Sequence, residues 1–532
     1  MRTKIPLAAA AVAATALALT ACAGPASPPA GDGDPGTLAD GKSFVAVIAT
    51  DPGTLDPFTT VMSVARGIDR FVYSRLVDVQ PDGSFEPGLA EKWEADTTSA
   101  TFTLREGLTC EDGSELTATD VAANLSYIGD PANNSPLIGL QVQPGTTAVG
   151  DDAARTVVVT SGASDAFLLE NLGTLAIVCG SVLDDPDARA EGKGATGMFT
   201  MTEIVPNSQY TLTRRKDFTW GPKDWDPAQA GLPDTVVFRI VGNETTAANL
   251  LLSGEVNSAL VIGPDQQRLS DAGLFSADVS LSTGQLIFNQ AESRSTADQA
   301  VRTALVQALD LAQLRDIVTA GVGTPSTGLT SAAPRPCTAD AVSGHIPEFD
   351  ADAAGATLDK AGWKAGSDGI RAKGGEPLAL TLLVPAALGD NGKAAYELAQ
   401  ASWKKVGVDV TLKTVDGPAL NESLFVSGDW DISAAPIGAN LPSMMVPFYS
   451  GATPPNGTNF ASVSNDDYAA LVSQAATKAG SEGCDDWVAA EQALYDTVTV
   501  VPYADIKRQR FGVKSTFAED DFIVPTSIRM YE

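Results

Sequence analysis

The sequence predicts an α/β fold class on three observations. "LALTLLV" at 378–384 is a continuous apolar run of strand length, followed by a helical stretch, "NGKAAYELAQASWKKVG", and a second strand-like segment, "VDVTLKTV". A strand buried on both faces beside such neighbours implies a crossover helix and a parallel unit. The first half, by contrast, is rich in short alternating strand patterns. Finally, 532 residues at 44% hydrophobic content suffice for two or three domains with real cores, at about 100–200 residues each.

In chain order, Arg2 and Lys4 give a positive start, and Ile5 to Ala21 run apolar and alanine-rich up to Cys22, the layout of a secretory signal peptide over residues 1–21. Leu19-Thr20-Ala21-Cys22 resembles the lipobox of bacterial lipoproteins, which implies that Cys22 carries a diacylglyceryl group. Two or three acyl chains hold a protein firmly, each buried methylene contributing roughly 0.8 kcal/mol. Residues 22–42 are Gly, Pro, Ala, Ser and Asp with almost no large apolar side chain, a composition that reads as a flexible tether. Within it, "GTLADGKS" (36–43) matches the phosphate-loop pattern but stands between a linker and a strand-like "FVAVIAT". The pattern needs a helix after the loop, so nucleotide binding is not expected.

Beyond the tether, "TFTLREG" alternates Phe102 and Leu104 against polar neighbours and closes at Gly107. Thr117 and Asp120 then form a capping-box start to a helix. "TVVVT" (156–160), "YTLTR" (210–214) and "TVVFRIV" (235–241) are further strands. In the second half, Val301, Ala304, Leu305, Ala308 and Leu309 share one helical face, and Gly321 and Gly323 end the pattern.

Composition excludes several classes. With 35 basic against 66 acidic residues the formal charge is −31, which makes nucleic acid and bare anionic lipid poor partners. One histidine, His345, and no CxxC leave little to build a metal or haem site, so no cofactor is expected. A secreted hydrolase would need a nucleophile and base. There is no GxSxG, and "SWKK" (402–405) lacks the partner motifs of SxxK enzymes. The acid pairs Asp184-Asp185, Asp466-Asp467 and Asp485-Asp486 are adjacent in sequence, whereas glycosidase carboxylates face each other across a cleft. No catalytic residue is assigned.

Seven segments in order carry a family resemblance: "DPGTLDP" (51–57); "VYSRLVDVQPDGSFEPGLAEKWEA" (72–95) running into "TFTLREGLTCEDGSELTATDV"; "GATGMFTM" (194–201); "LLLSGEVN" (250–257); "IFN" with "AVRTALVQALD"; "LDKAGW" (358–363); and "VVPYADI" (500–506). Together they resemble the family 5 extracellular solute-binding proteins of ABC importers, among them oligopeptide-, dipeptide- and nickel-binding proteins. The resemblance implies a two-lobed periplasmic-binding-protein-like fold with an additional subdomain inserted in the first lobe, closing by a hinge over a solute. Lobe I is then expected at 43–78, 194–284 and 503–532, the insert at 79–193, and lobe II at 285–502. The expected molecule is a monomer that binds a peptide or other small solute and delivers it to permease subunits. Its place would be outside the cytoplasm, held to the membrane through its lipid anchor alone.

Cys110, Cys179, Cys337 and Cys484 remain once Cys22 is set aside. An even number in an oxidising compartment suggests disulfides. Three connectivities are open, and pairing Cys110 with Cys179 and Cys337 with Cys484 is favoured because each bridge then stays within one lobe.

By position in the family pattern, the ligand loop after Asp56-Pro57 falls on Val61, Met62 and Ser63. Leu137 and Leu260 occupy positions where peptide binders carry aromatic residues. In "DWDISAAPIGANLP" (429–442), Ala434 stands at the family's arginine, Ile437 at its tryptophan and Asn440 at the aspartate that pairs with a peptide α-amine. A buried ammonium without a carboxylate is costly, so Asn440 favours a ligand with a blocked or absent amine, or a neutral solute such as an oligosaccharide. Asp429 or Asp431 would restore the carboxylate if either reached the cleft.

Overall fold

A computed structural model describes residues 36–532 except Pro81, Asp224 and Pro264. The segments expected as signal peptide and tether fall outside these residues, wholly for the first, with Cys22, and for the most part for the second. Among the described residues, no helix is long and apolar enough to cross a membrane.

One ten-stranded sheet runs through both lobes. Its order is Asp409–Val415, Ala379–Pro385, Ile432–Ser433, Phe275–Phe288, Val500–Gly512, Ser258–Val261, Ser43–Ile48, Thr235–Ile240, Gln209–Arg214 and Phe199–Val205. Ala379–Pro385 pairs in parallel with Asp409–Val415, joined by the helix Gly389–Lys405, so the strand–helix–strand unit is the expected crossover. In the other half, Ser43–Ile48 lies parallel to both Thr235–Ile240 and Ser258–Val261.

Two long antiparallel strands, Phe275–Phe288 and Val500–Gly512, sit at the middle of this sheet and carry the chain between its halves. Their register shifts between Ser282 and Gln285. The Tyr396 and Tyr503 hydroxyls, 2.8 Å apart, tie the second half to this pair, and within that half the fully buried Trp403 donates its indole N–H to the Leu305 carbonyl at 2.8 Å.

A separate four-stranded sheet, Ala90–Ala95, Ser99–Leu104, Thr156–Thr160 and Thr147–Asp151 in spatial order, packs on the first lobe. The helix Ala118–Gly129 covers it and begins with the capping box, Thr117 and Asp120 each accepting the other's backbone N–H. Phe102 and Val157 of this unit share one continuous apolar cluster with Phe44, Phe71 and Phe238 of the first lobe. It is therefore fused to that lobe rather than hung from it.

The face shared by Val301, Ala304, Leu305, Ala308 and Leu309 is buried, but the backbone divides into two helices, Gln299–Gln307 and Leu311–Val318. Asp310 accounts for the break. Its carboxylate accepts the Gln313 N–H at 3.0 Å and so starts the second helix. "GTLADGKS" leads into the strand Ser43–Ile48, with no helix after the loop. Cys110 is bonded to Cys179 (S–S 2.09 Å) and Cys337 to Cys484 (2.02 Å).

Candidate functional site

A cavity of about 250 Å³ opens where three parts of the chain meet. The first lobe contributes Arg66, Arg75 and the Asp520-Asp521-Phe522 turn. The four-stranded unit contributes Glu170 and Asn171, and the second lobe contributes Asn440 and its neighbours.

Arg66 is carried on the helix Ser63–Val72. Its guanidinium lies 5.7 Å from the centroid of the Phe522 ring, a cation–π contact, and makes no ion pair within 4 Å among the described residues. Arg75 is 3.8 Å from Asp520, which also meets Arg70 at 3.5 Å. Burial lowers the Arg75 guanidinium to about 10. Burial also pushes Asp520 up, but Arg70 and Arg75 outweigh it and hold that carboxyl below its usual range. Asp521 is raised by burial, against the pull of Arg66 and Arg508, and Arg508 stands 3.9 Å from it.

Glu170 differs from these acids. It sits on the short helix Leu168–Gly173, positioned by Asp165, which accepts the Phe167 N–H at 2.9 Å and the Asn171 side-chain amide at 2.8 Å. Glu170 is 8% exposed, and among the described residues no cation or other side chain bonds its carboxylate. Only its own backbone N–H supports the charge, and burial, with Asp165 adding to it, lifts the carboxyl to about 7.

A second cavity, of about 330 Å³, lies in the first lobe at the ends of its parallel strands and shares Asp521 and Phe522 with the first. Two of its charged residues are already engaged. Glu244 accepts the Ile262 and Gly263 N–H groups, and Arg510 meets Glu519 at 3.0 Å. A pocket of about 40 Å³ joins the first cavity through Arg66 and Arg75. Asp69 lines it with both carboxylate oxygens unbonded, and burial, with Asp56 adding to it, raises that carboxyl well above its usual range.

The sequence-derived residues spread over these surfaces. Asn440 lines the three-part cavity, and Ser63 and Leu260 line the second one. Leu137, 4% exposed, is a core residue that touches the small pocket. Val61 and Met62, 48% and 50% exposed, precede the Ser63–Val72 helix and line none of these three cavities. Ile437 is held by its backbone, its N–H and carbonyl bonded to the Gln285 side chain at 3.0 and 3.2 Å. Ala434 is fully buried in the core of the second lobe.

Neither acid of "DWDI" reaches the cavity. Asp429 is exposed beside Arg294, and Asp431 accepts the Thr381 N–H at 2.8 Å. The acids that do line it are Glu170, Asp520 and Asp521, and Glu170 was missed because "FLLENLG" reads only as a short apolar helix. Arg66 was legible in principle, as a cation one turn beyond the expected ligand loop. His345 bonds Asp496 at 2.9 Å, away from these cavities. Among the described residues, no three His, Cys, Asp or Glu side chains gather as metal ligands.

The sequence matches the family model of bacterial extracellular solute-binding proteins, family 5 Middle, over residues 84–459. Protein XP55 of Streptomyces lividans is 30% identical over 416 residues, 75% of this chain and 72% of that protein. The periplasmic murein peptide-binding protein MppA of Escherichia coli (strain K12) is 25% identical over 489 residues, 87% and 88% of the two chains. A substrate binding protein from Microbacterium hydrocarbonoxydans, solved in complex with 4-hydroxybenzoate hydrazide, superposes with a TM-score of 0.67 at 25% identity, over 92% of this chain and all of that one. A two-lobed α/β architecture with a cavity between the lobes, together with a family match across most of the sequence, places this chain among the family 5 bacterial extracellular solute-binding proteins.

Proposed function

We propose that the protein captures a peptide or peptide-like solute outside the cell membrane and hands it to the permease of an ABC importer, with Cys22 as its lipid anchor. The observation that carries this reading is the three-part cavity. Its walls come from both lobes and from the four-stranded unit, while two long strands at the centre of the sheet run between the lobes. Walls on separately moving bodies let hinge closure surround a solute and change the outer surface together.

The name of MppA, a murein peptide-binding protein, supports a peptide-like ligand. The relatives are solute-binding proteins rather than enzymes, and we assign no catalytic residue. A tether of about 20 residues from the anchor keeps the protein concentrated beside its permease, so the docking contact itself can be weak.

The test is a thermal-shift screen of the mature protein against short peptides, N-blocked peptides and oligosaccharides. Stabilisation by peptides is expected. Stabilisation by oligosaccharides alone would replace the peptide reading with a sugar-binding one. For the anchor, incorporation of labelled palmitate into the wild type and its loss in Cys22→Ser is expected.

A further inference from the structure

We propose that the contact between the four-stranded unit and the second lobe is a proton-operated latch: the lobes close with the Glu170 carboxyl protonated and part when it ionises. The inference rests on the hinge-closure reading above and adds a dependence on pH to it. Which solute is captured does not enter.

Glu170 lies on the helix Leu168–Gly173, in a unit whose apolar core is continuous with that of the first lobe, so it travels with that lobe. What covers it belongs to the other one. The Gly480–Gly483 turn of the second lobe lies so close that a Cβ at Gly480 would stand 3.2 Å from Glu170 Oε1. Beside it, the Gly480 N–H donates to the Ala166 carbonyl at 2.6 Å, and Phe167 packs on Trp487. A carboxyl more than nine-tenths buried thus sits at a seam that hinge opening parts.

The charged groups around the seam are of the wrong sign or already paired. Asp165, just before the helix, opposes ionisation of Glu170. The turn opposite carries an exposed acid, Glu482, and Lys478 next to it is held by Asp486. Of the strands against the helix, Val77–Val79 bears Asp78, paired with Arg70 at 2.6 Å, and Ser99–Leu104 bears no charge. Across the cavity, Arg75 faces Asp520, and Arg66 and Arg508 act on Asp521.

An ionised carboxylate without a cation is costly at such a contact, whereas the neutral acid is an ordinary polar group. Burial accordingly lifts the carboxyl to about 7. Parting the lobes returns Glu170 to water and towards its ordinary 4.5, where it releases the proton. Closure therefore takes up a proton. It is favoured in full below about 4.5, and the advantage is lost as pH rises through about 7.

The experiment is small-angle X-ray scattering of the mature, unliganded wild type from pH 5.5 to 8.5, beside Glu170→Gln and Glu170→Ala, each checked for folding by circular dichroism. The wild-type radius of gyration is expected to rise with a midpoint near 7, and both variants should keep one radius throughout. A second arm titrates an equimolar pool of free dipeptides at pH 5.5 and 7.0. Wild-type binding should be about tenfold weaker at pH 7.0, and binding by Glu170→Gln nearly equal at the two. A flat wild-type radius, the same rise in Glu170→Gln, or equal wild-type affinities at the two pH values overturns the latch, and dipeptide binding then leaves the peptide reading standing. A transition near 7 that both variants abolish, with no dipeptide bound at either pH, upholds the latch and overturns the peptide reading.

Discussion

Asp56 and Arg189, 133 positions apart, meet in a two-pronged ion pair, Nε to Oδ1 at 3.0 Å and Nη2 to Oδ2 at 3.1 Å. Their side chains are 3% and 0% exposed. The guanidinium carbon lies 5.2 Å from the ring centroids of both Phe58 and Tyr127, and Tyr127 belongs to the helix Ala118–Gly129. The pair thus locks the "LDP" loop, which leads into the Arg66 helix, against the four-stranded unit.

Removing one partner strands the other in the core, so Arg189→Ala should cost roughly 3–5 kcal/mol. Asp56→Asn, which keeps an acceptor, should cost less. The check is urea unfolding, where the midpoint is expected to fall with the slope unchanged. A loss under 1 kcal/mol for Arg189→Ala would mean that the rings alone hold the loop.

Glu170 gives a pH signature that needs no ligand. Its folded carboxyl, lifted to about 7 from 4.5 by burial, binds protons that the unfolded chain releases. Its contribution to stability is therefore fully present below about 4.5 and declines as pH rises through about 7. The charged groups that line the same cavity are Arg66, Arg75, Asp520 and Asp521, and Asp165 lies behind the helix. Glu170→Gln should flatten the loss between pH 4.5 and 7 and exceed the wild type at pH 8 by roughly 2–4 kcal/mol. Parallel pH profiles for the two proteins would show that Glu170 does not titrate this way.

Local signals carried the elements well and the site poorly. The Thr117 capping box, the alternation of Phe102 and Leu104, and the apolar run at 378–384 are each properties of a few neighbouring residues, and the folded chain has those elements. The break at Asp310 was also local, an N-cap residue inside a helical pattern, but apolar periodicity masked it. The site is different in kind. Arg66, Glu170 and Asn440 come together only because three separate bodies pack around one cavity, and no spacing in the sequence encodes that. Family position led to Asn440, which lines the cavity, and to Val61 and Met62, which do not. A position in a motif fixes a backbone location more reliably than a side chain's direction.

Gly284 marks where the long strands give. The register of Phe275–Phe288 against Val500–Gly512 shifts on either side of it, and a Cβ there would lie 2.5 Å from the Tyr503 ring and 2.6 Å from the Ala504 Cβ. Gly284→Ala must push these strands apart or displace Tyr503 from its bond to Tyr396. Overpacking of this size costs typically 1–3 kcal/mol. A lower melting temperature is expected, together with weaker solute binding, since the displaced ring belongs to a strand that joins the lobes. Binding unchanged at lowered stability would separate this crossing from the hinge.

Phe167 and Trp487 bind the four-stranded unit to the second lobe. Their ring centroids are 5.7 Å apart with a 34° tilt, and they form one buried cluster with Cys337 and Leu441. Two polar contacts flank them: Gly480 N–H donates to the Ala166 carbonyl at 2.6 Å, and Ser164 Oγ donates to the Ala476 carbonyl at 3.4 Å. Glu170 lies three residues beyond Phe167, so this contact also holds in place the wall that Glu170 contributes to the cavity. Phe167→Ala removes an aromatic anchor worth as much as about 3–5 kcal/mol in a core, here spent on holding two bodies together. The expected result is a larger radius of gyration for the unliganded protein by small-angle X-ray scattering, with weaker solute binding and an unchanged circular dichroism spectrum. A radius of gyration equal to the wild type's would mean that the flanking hydrogen bonds hold the lobes without the rings.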